Sequence, residues 1–165
     1  MTTVTRSGGK ASHTELSIKD RLVLFLEREG NRRLRSLGTW LYRVTGGRFT
    51  PRERHVVLLT TRGRKSGKRH TVLLQSFQQG KSMVLVAANS GQSFPPDWFL
   101  NLKATPEALI QVGDRVLRMR AEEVPAAEAS ALWPRILRCS PSYSRYRRAT
   151  DRSLTLVRLA PAGSG

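Results

Sequence analysis

The sequence predicts an α+β fold, a small antiparallel β-barrel with helices inserted between its strands. Three observations carry that expectation. Between His55 and Ala88, apolar β-branched runs are separated only by short polar turns, the mark of an antiparallel meander and not of βαβ units. A Gly113-Asp114 turn joins two further runs, Ala108–Val112 and Arg115–Val124, as a hairpin. A last run, Ser153–Leu159, follows a helical stretch, which brings the total to about six strands with helices between them.

Length and composition agree with one such domain. The chain has 165 residues and is 39% hydrophobic, enough to build a core of its own. It carries 29 Lys+Arg against 12 Asp+Glu, a formal charge of +17, and so favours anionic partners. Nucleic acid, an anionic membrane surface and a polyanionic small molecule all satisfy that charge. A single cysteine, Cys139, excludes an internal disulfide and a Cys-rich zinc site, and no metal site is expected. No apolar run approaches the roughly 20 residues needed to span a bilayer. The opening MTTVTRSGGKASHTE lacks the apolar stretch of a secretory signal, so a cytoplasmic location is expected.

The elements follow in order. Residues 1–14 are polar and rich in Gly, Ser and Thr, and read as a disordered arm. Residues 15–47 read as a helical segment. Leu16, Ile18, Leu22, Val23, Phe25 and Leu26 suit a first amphipathic helix that stops at Gly30-Asn31. Leu34, Leu37, Leu41 and Val44 mark a second, made basic by Arg32, Arg33, Arg35 and Arg43, with Gly46-Gly47 at its end. Residues 48–161 then form the barrel, and residues 162–165 a tail. Its first strands are His55–Thr61, His70–Phe77 and Ser82–Ala88. Asp97 is expected to cap a short helix, DWFLNLKA, that stops at Thr105-Pro106. Pro125–Cys139 reads as a helix with Pro125 in its first turn, and Pro134 inside it predicts a kink or an early end.

Three segments could carry chemistry. In Thr60–His70 (TTRGRKSGKRH), Gly63 and Gly67 bracket Arg64, Lys65 and Ser66 between two strands. Glycines let backbone amides turn toward an anion, Arg64 can clamp a phosphate and Lys65 can act as a point charge. A solvated basic turn is the plainer alternative; a Walker loop is excluded, because a strand follows. In Val86–Lys103, the small Ala87-Ala88 pair would let a flat ring approach the backbone. Asn89 and Ser90 offer hydrogen bonds, and Trp98 would serve as a pocket wall or as core. In Ser140–Asp151, Tyr143 and Tyr146 are spaced to share one helical face, where two phenols could bind or protonate a carbonyl-like substrate. Surface tyrosines would show the same spacing.

Together these segments resemble a known family. Leu58–Gly67 (LLTTRGRKSG), Val86-Ala87-Ala88-Asn89, Pro96–Pro106 (PDWFLNLKATP), Pro141–Tyr146 (PSYSRY) and Thr150-Asp151-Arg152 follow, in order, the pattern of the deazaflavin-dependent nitroreductases. These are split-barrel, flavin-reductase-like proteins that use coenzyme F420. The resemblance runs from Thr39 to Pro161. It implies a split antiparallel β-barrel and transfer of hydride from reduced deazaflavin to an electron-poor quinone, enone or nitro compound. Arg64, Lys65, Ser66 and Gly67 would hold the cofactor's phosphate and anionic tail, and His70 takes an anion-binding position where the family usually has Arg. Ala88 and Asn89 would lie beside the ring, and Trp98 would touch the cofactor from the loop. Tyr143, Tyr146 and Asn89 are the expected catalytic residues, acting on a small hydrophobic substrate. The family's N-terminal helix implies peripheral contact with the inner membrane as an option, and family barrels are often dimeric.

The departures at His70, Leu73-Leu74 and Ser90 keep a second reading open, an FMN-using or cofactor-free natural-product enzyme or cyclase on the same barrel. A basic nucleic-acid-binding protein ranks last, because no helix-turn-helix, zinc-finger or RNP pattern accompanies the charge.

Overall fold

A computed structural model of the protein describes Thr39, Trp40, Tyr42, Val44, Thr45 and residues 55–163. The expected N-terminal arm, the first amphipathic helix, the other residues of the expected second helix with its Gly46-Gly47 end, and the last two residues of the tail lie outside the described residues. Strands β1 (Val56–Arg62), β2 (Arg69–Gln79), β3 (Ser82–Val86), β4 (Glu107–Val112), β5 (Arg115–Glu123) and β6 (Leu156–Pro161) close into a barrel. All neighbours are antiparallel, in the order β1-β2-β3-β6-β5-β4, with β4 returning to β1. Helix α1 (Asp97–Ala104) sits in the β3–β4 connection, and α2 (Ala126–Cys139) and α3 (Ser142–Arg148) in the β5–β6 connection. The expected α+β barrel with inserted helices is the fold that forms.

Both faces of the β3 run SMVLV are covered, which is why it reads as continuously apolar. Met83 and Leu85 point into the barrel with Leu59, Ile110, Met119 and Leu159. Val84 and Val86 point the other way, into a second cluster with Phe77, Ile136, Tyr143 and Leu156. α1 adds Trp98, Phe99 and Leu102 to the interior cluster, so it is docked by its own apolar side chains. Burying each such side chain contributes on the order of 1.5–3 kcal/mol. The helical residues Thr39, Trp40, Tyr42, Val44 and Thr45 are tied down through Tyr42, whose hydroxyl donates to the Val56 carbonyl at 2.8 Å and accepts from the Gly113 amide at 3.3 Å. Arg158 on β6 joins Glu122, Glu128 and Gln79, binding α2 to three strands.

Two local expectations are corrected. β3 ends at Val86 and not at Ala88, because the Ala87 and Ala88 carbonyls accept from a side chain, Arg152, instead of a strand. α2 runs through Pro134 to Cys139 without ending; Pro134 and Ser130 are both exposed, so the carbonyl freed one turn earlier faces water. Cys139 is exposed.

Candidate active site

A cleft of about 720 Å³ opens between the β1–β2 turn, the start of β2, the loop that follows β3 and helix α1. That volume suits a cofactor-sized ligand. One end is cationic and polar, built from Gly63, Arg64, Lys65, Ser66 and His70. The rest of the lining is mostly apolar, with Val72, Phe94, Pro95, Trp98 and Leu100, and Asn89, Asp97 and Asn101 complete it.

The cationic end is a tightly closed turn. The Gly67 amide donates to the Gly63 carbonyl and the Gly63 amide to the Lys68 carbonyl, both at 2.8 Å. Gly67 has φ +66°, a left-handed conformation that disfavours any other residue. A Cβ on Gly63 would lie 2.7 Å from both His70 Nε2 and Ser66 Oγ, two atoms that contact each other at 3.2 Å. Glycine at position 63 is therefore what lets Ser66 and His70 meet. Within this turn the Arg64 amide is taken by Asn101 and the Lys68 amide by Ser66, while the Lys65 and Ser66 amides have no hydrogen-bond partner among the described residues.

Arg64 is more committed than the sequence suggests. Its Nη1 donates to Asp97 Oδ1 at 3.0 Å and to Asn101 Oδ1 at 3.1 Å. Asp97 is not the helix cap that its position predicted. Pro96 occupies the N-cap, Asp97 is the first helical residue, and its carboxylate turns to the guanidinium instead of to the helix amides. Asn101 lies one turn further along the same helical face, which puts both side chains within reach of Arg64. Sequence reasoning gave Asn101 no role; the four-residue spacing from Asp97 was the only available signal.

The loop beyond β3 is held in an unusual shape. Asn89 and Ser90 have φ of 47° and 50°, and Gly91 follows at 69°. Two consecutive non-glycine residues in this region need outside support. Asn89 Nδ2 supplies part of it, donating to Gln92 Oε1 and to the Phe94 carbonyl, both at 3.1 Å, which leaves only its side-chain oxygen for a ligand. Arg152 supplies the rest. Its guanidinium donates to the carbonyls of Ala87 (3.0 Å), Ala88 (2.8 Å) and Gln92 (3.0 Å). Partial burial pulls its pKa below the usual arginine value, although three carbonyl acceptors hold the charged form in place. Arg152 was visible in the Thr-Asp-Arg signature, but nothing local revealed which carbonyls it would reach.

Of the residues the sequence singled out, Arg64, Lys65, Ser66, His70, Asn89 and Trp98 meet in this cleft. Trp98 is both wall and core, being 5% exposed and edge-on to Phe99 at 6.2 Å. Gly67, Ala88, Tyr143 and Tyr146 do not line it. Ala88 and Tyr143 are buried in the second cluster, with Tyr146 packed against them. Tyr143 stands edge-on to Phe77 at 6.0 Å and to Tyr146 at 5.6 Å, and burial pushes its phenol up to about 12. A Cβ on Gly91 would meet Ala149 Cβ at 2.8 Å and the Tyr146 carbonyl at 3.0 Å, so α3 backs the strained loop from outside the cleft. Lys103, also on α1, turns away to Glu123 at 3.2 Å.

A closed antiparallel barrel with a cationic turn at one end of an apolar-walled cleft defines a cofactor-binding split barrel. Known proteins narrow that class. The family model for F420H(2)-dependent quinone reductases matches residues 28–161, and the chain belongs to that family. An F420H(2)-dependent quinone reductase of Mycobacterium tuberculosis is 30% identical over 139 residues, covering 81% of this chain and 93% of the relative. Among solved structures, an F420-H2 dependent reductase superposes with a TM-score of 0.58 at 34% identity, covering 64% of this chain and 94% of that one. A further structure, described as a domain-swapped dimer, gives 0.60 at 30% identity, covering 87% and 99%. The protein is thus an oxidoreductase whose cofactor is coenzyme F420, and the FMN-dependent and non-redox readings fall away. The site fits that cofactor's anionic part: two unpartnered amides and the Lys65 ammonium lie beside a partly engaged arginine. No helix among the described residues is long and apolar enough to cross a membrane.

Proposed function

We propose that the cationic turn anchors coenzyme F420 by its phosphate and anionic tail while the apolar wall receives a quinone, which the enzyme reduces. The bound cofactor supplies hydride carried on carbon; the chain's own residues supply placement. The observation that carries this reading is the division of one cleft into a cationic end with free amides at Lys65 and Ser66 and an apolar wall at Val72, Phe94 and Leu100. Arg64 and Lys65 neutralise the anion, Ser66 and His70 donate to it, and Gly67 closes the turn that presents them. Asn89 offers its side-chain oxygen and Trp98 its edge to the ring system. Ala88, Tyr143 and Tyr146 act from behind, supporting the loop that forms the wall.

Two wider features belong to the same reading. A homodimer is supported by the domain-swapped relative. Contact with an anionic membrane surface is supported by the net charge and by the outward-facing Trp40 and Val44, 58% and 64% exposed.

Replacing both Arg64 and Lys65 by Ala tests the anchor. Affinity for F420, followed by tryptophan fluorescence, is expected to fall by about tenfold or more, and the remaining binding to lose most of its salt dependence. Unchanged affinity in a folded double variant would remove the anion-anchor assignment.

A further inference from the structure

Phe94 is 59% exposed at the cleft, whereas the other described phenylalanines, Phe77 and Phe99, are 7% and 6% exposed. A large apolar ring left in water beside a ligand cleft marks a place where a ligand completes the burial. Its backbone, in contrast, is held firmly. The Phe94 carbonyl accepts from Asn89 Nδ2 at 3.1 Å, and Pro95 and Pro96 follow with fixed φ. Asn89 in turn begins the left-handed Asn89–Gly91 turn, whose two ends Arg152 clamps through the Ala88 and Gln92 carbonyls. An accessible aromatic side chain on a preorganised backbone is a platform, because little ordering cost remains when a flat partner arrives.

Resting on the functional reading above, we infer that Phe94 is the residue on which the quinone ring stacks, and that the Arg152–Asn89 hydrogen-bond chain sets its position. A quinone ring is electron-poor and a phenyl face is electron-rich, so offset stacking favours this pair over an aliphatic contact. The Lys65 and Ser66 end of the cleft takes anions and Phe94 stands on the apolar wall, so acceptor and cofactor tail do not compete for the same groups. Phe94 takes no part in hydride or proton transfer. It sets how the acceptor lies and which acceptors fit, and a two-ring quinone gains more from it than a one-ring quinone.

Steady-state oxidation of F420H2 by the full chain, with benzoquinone and 2-methyl-1,4-naphthoquinone as acceptors, decides the matter. For Phe94→Ala, KM for the naphthoquinone is expected to rise about tenfold, with a smaller rise for benzoquinone and F420 affinity within about twofold of the parent. Phe94→Tyr should retain the parent KM. Arg152→Lys, which keeps the charge but loses the three-carbonyl geometry, should shift KM in the same direction as Phe94→Ala. Unchanged KM in Phe94→Ala, or an equal rise for both quinones, would overturn the platform. A matching loss of F420 affinity would also overturn it, by making Phe94 a cofactor contact. If the parent protein oxidised F420H2 with neither quinone, the functional reading would fail and this inference with it; activity indifferent to Phe94 would overturn this inference alone.

Discussion

The side-chain oxygen of Asn101 accepts hydrogen bonds from both the backbone amide and the guanidinium of Arg64, each at 3.1 Å. Its Nδ2 donates to Thr61 Oγ1 at 3.2 Å, so one buried amide joins the last part of β1, the basic turn and α1. The turn is therefore positioned by a residue remote from it in the chain.

Asn101→Ala leaves the Arg64 amide and Thr61 without these partners in a site that is 4% exposed. Unfolding in urea is expected to show a loss of about 1–3 kcal/mol. F420 affinity should fall by about tenfold as the turn loses its support. Asn101→Asp retains the acceptor and most of the stability, but adds a negative charge beside Arg64. It should weaken F420 binding while the unfolding midpoint stays near the parent value. Full affinity in both variants would mean that the turn holds its shape without α1.

Asp97 competes for the same guanidinium. Its carboxylate is 86% exposed, so the pair with Arg64 is a weak one. In Asp97→Asn, the local negative charge disappears and Arg64 keeps its bond to Asn101. F420 is expected to bind about two- to fivefold tighter at low salt, with the gain fading as salt is added. Weaker binding in a fluorescence titration would show instead that Asp97 orients the guanidinium productively.

Tyr143 makes stability depend on pH in the alkaline range. Its folded phenol is raised from the ordinary 10.0 to about 12 by burial. Between those values the unfolded chain releases the proton and the folded chain keeps it. The folded state then binds more protons, and stability falls as pH rises. Below pH 10 the contribution is fully present, and it is lost progressively toward pH 12, amounting to roughly 2–3 kcal/mol at most. Tyr143→Phe should flatten that part of the profile relative to the parent, with turnover at neutral pH changed by less than about threefold, because the ring contacts with Phe77 and Tyr146 survive. A large fall in turnover with unchanged F420 affinity would return Tyr143 to a catalytic role.

The barrel was legible because its signals are local. Gly80 and Gly113 have φ of 59° at the β2–β3 and β4–β5 turns, and the apolar runs beside them become strands within three residues of the expected ends. In two places where the expectation failed, a distant side chain had intervened. Ala87 and Ala88 have strand-like composition, yet Arg152, more than sixty residues away, holds their carbonyls. Asp97 has the composition of a helix cap, yet Arg64 claims it from across the cleft.

The cationic turn, too, could be read directly, since Gly63, Arg64, Lys65, Ser66 and Gly67 are contiguous and their chemistry depends on a tight turn. The partition among the tyrosines could not. Tyr143 and Tyr146 have the right spacing for one helical face, and that face exists, but spacing does not say what the face meets. Here it meets Phe77 and the second apolar cluster. Periodicity and turn chemistry act over a few residues and are written in neighbouring letters. Which carbonyl an arginine reaches, and whether a phenol faces a ligand or the core, depends on contacts between segments far apart in the chain, so those choices were made only when the barrel closed.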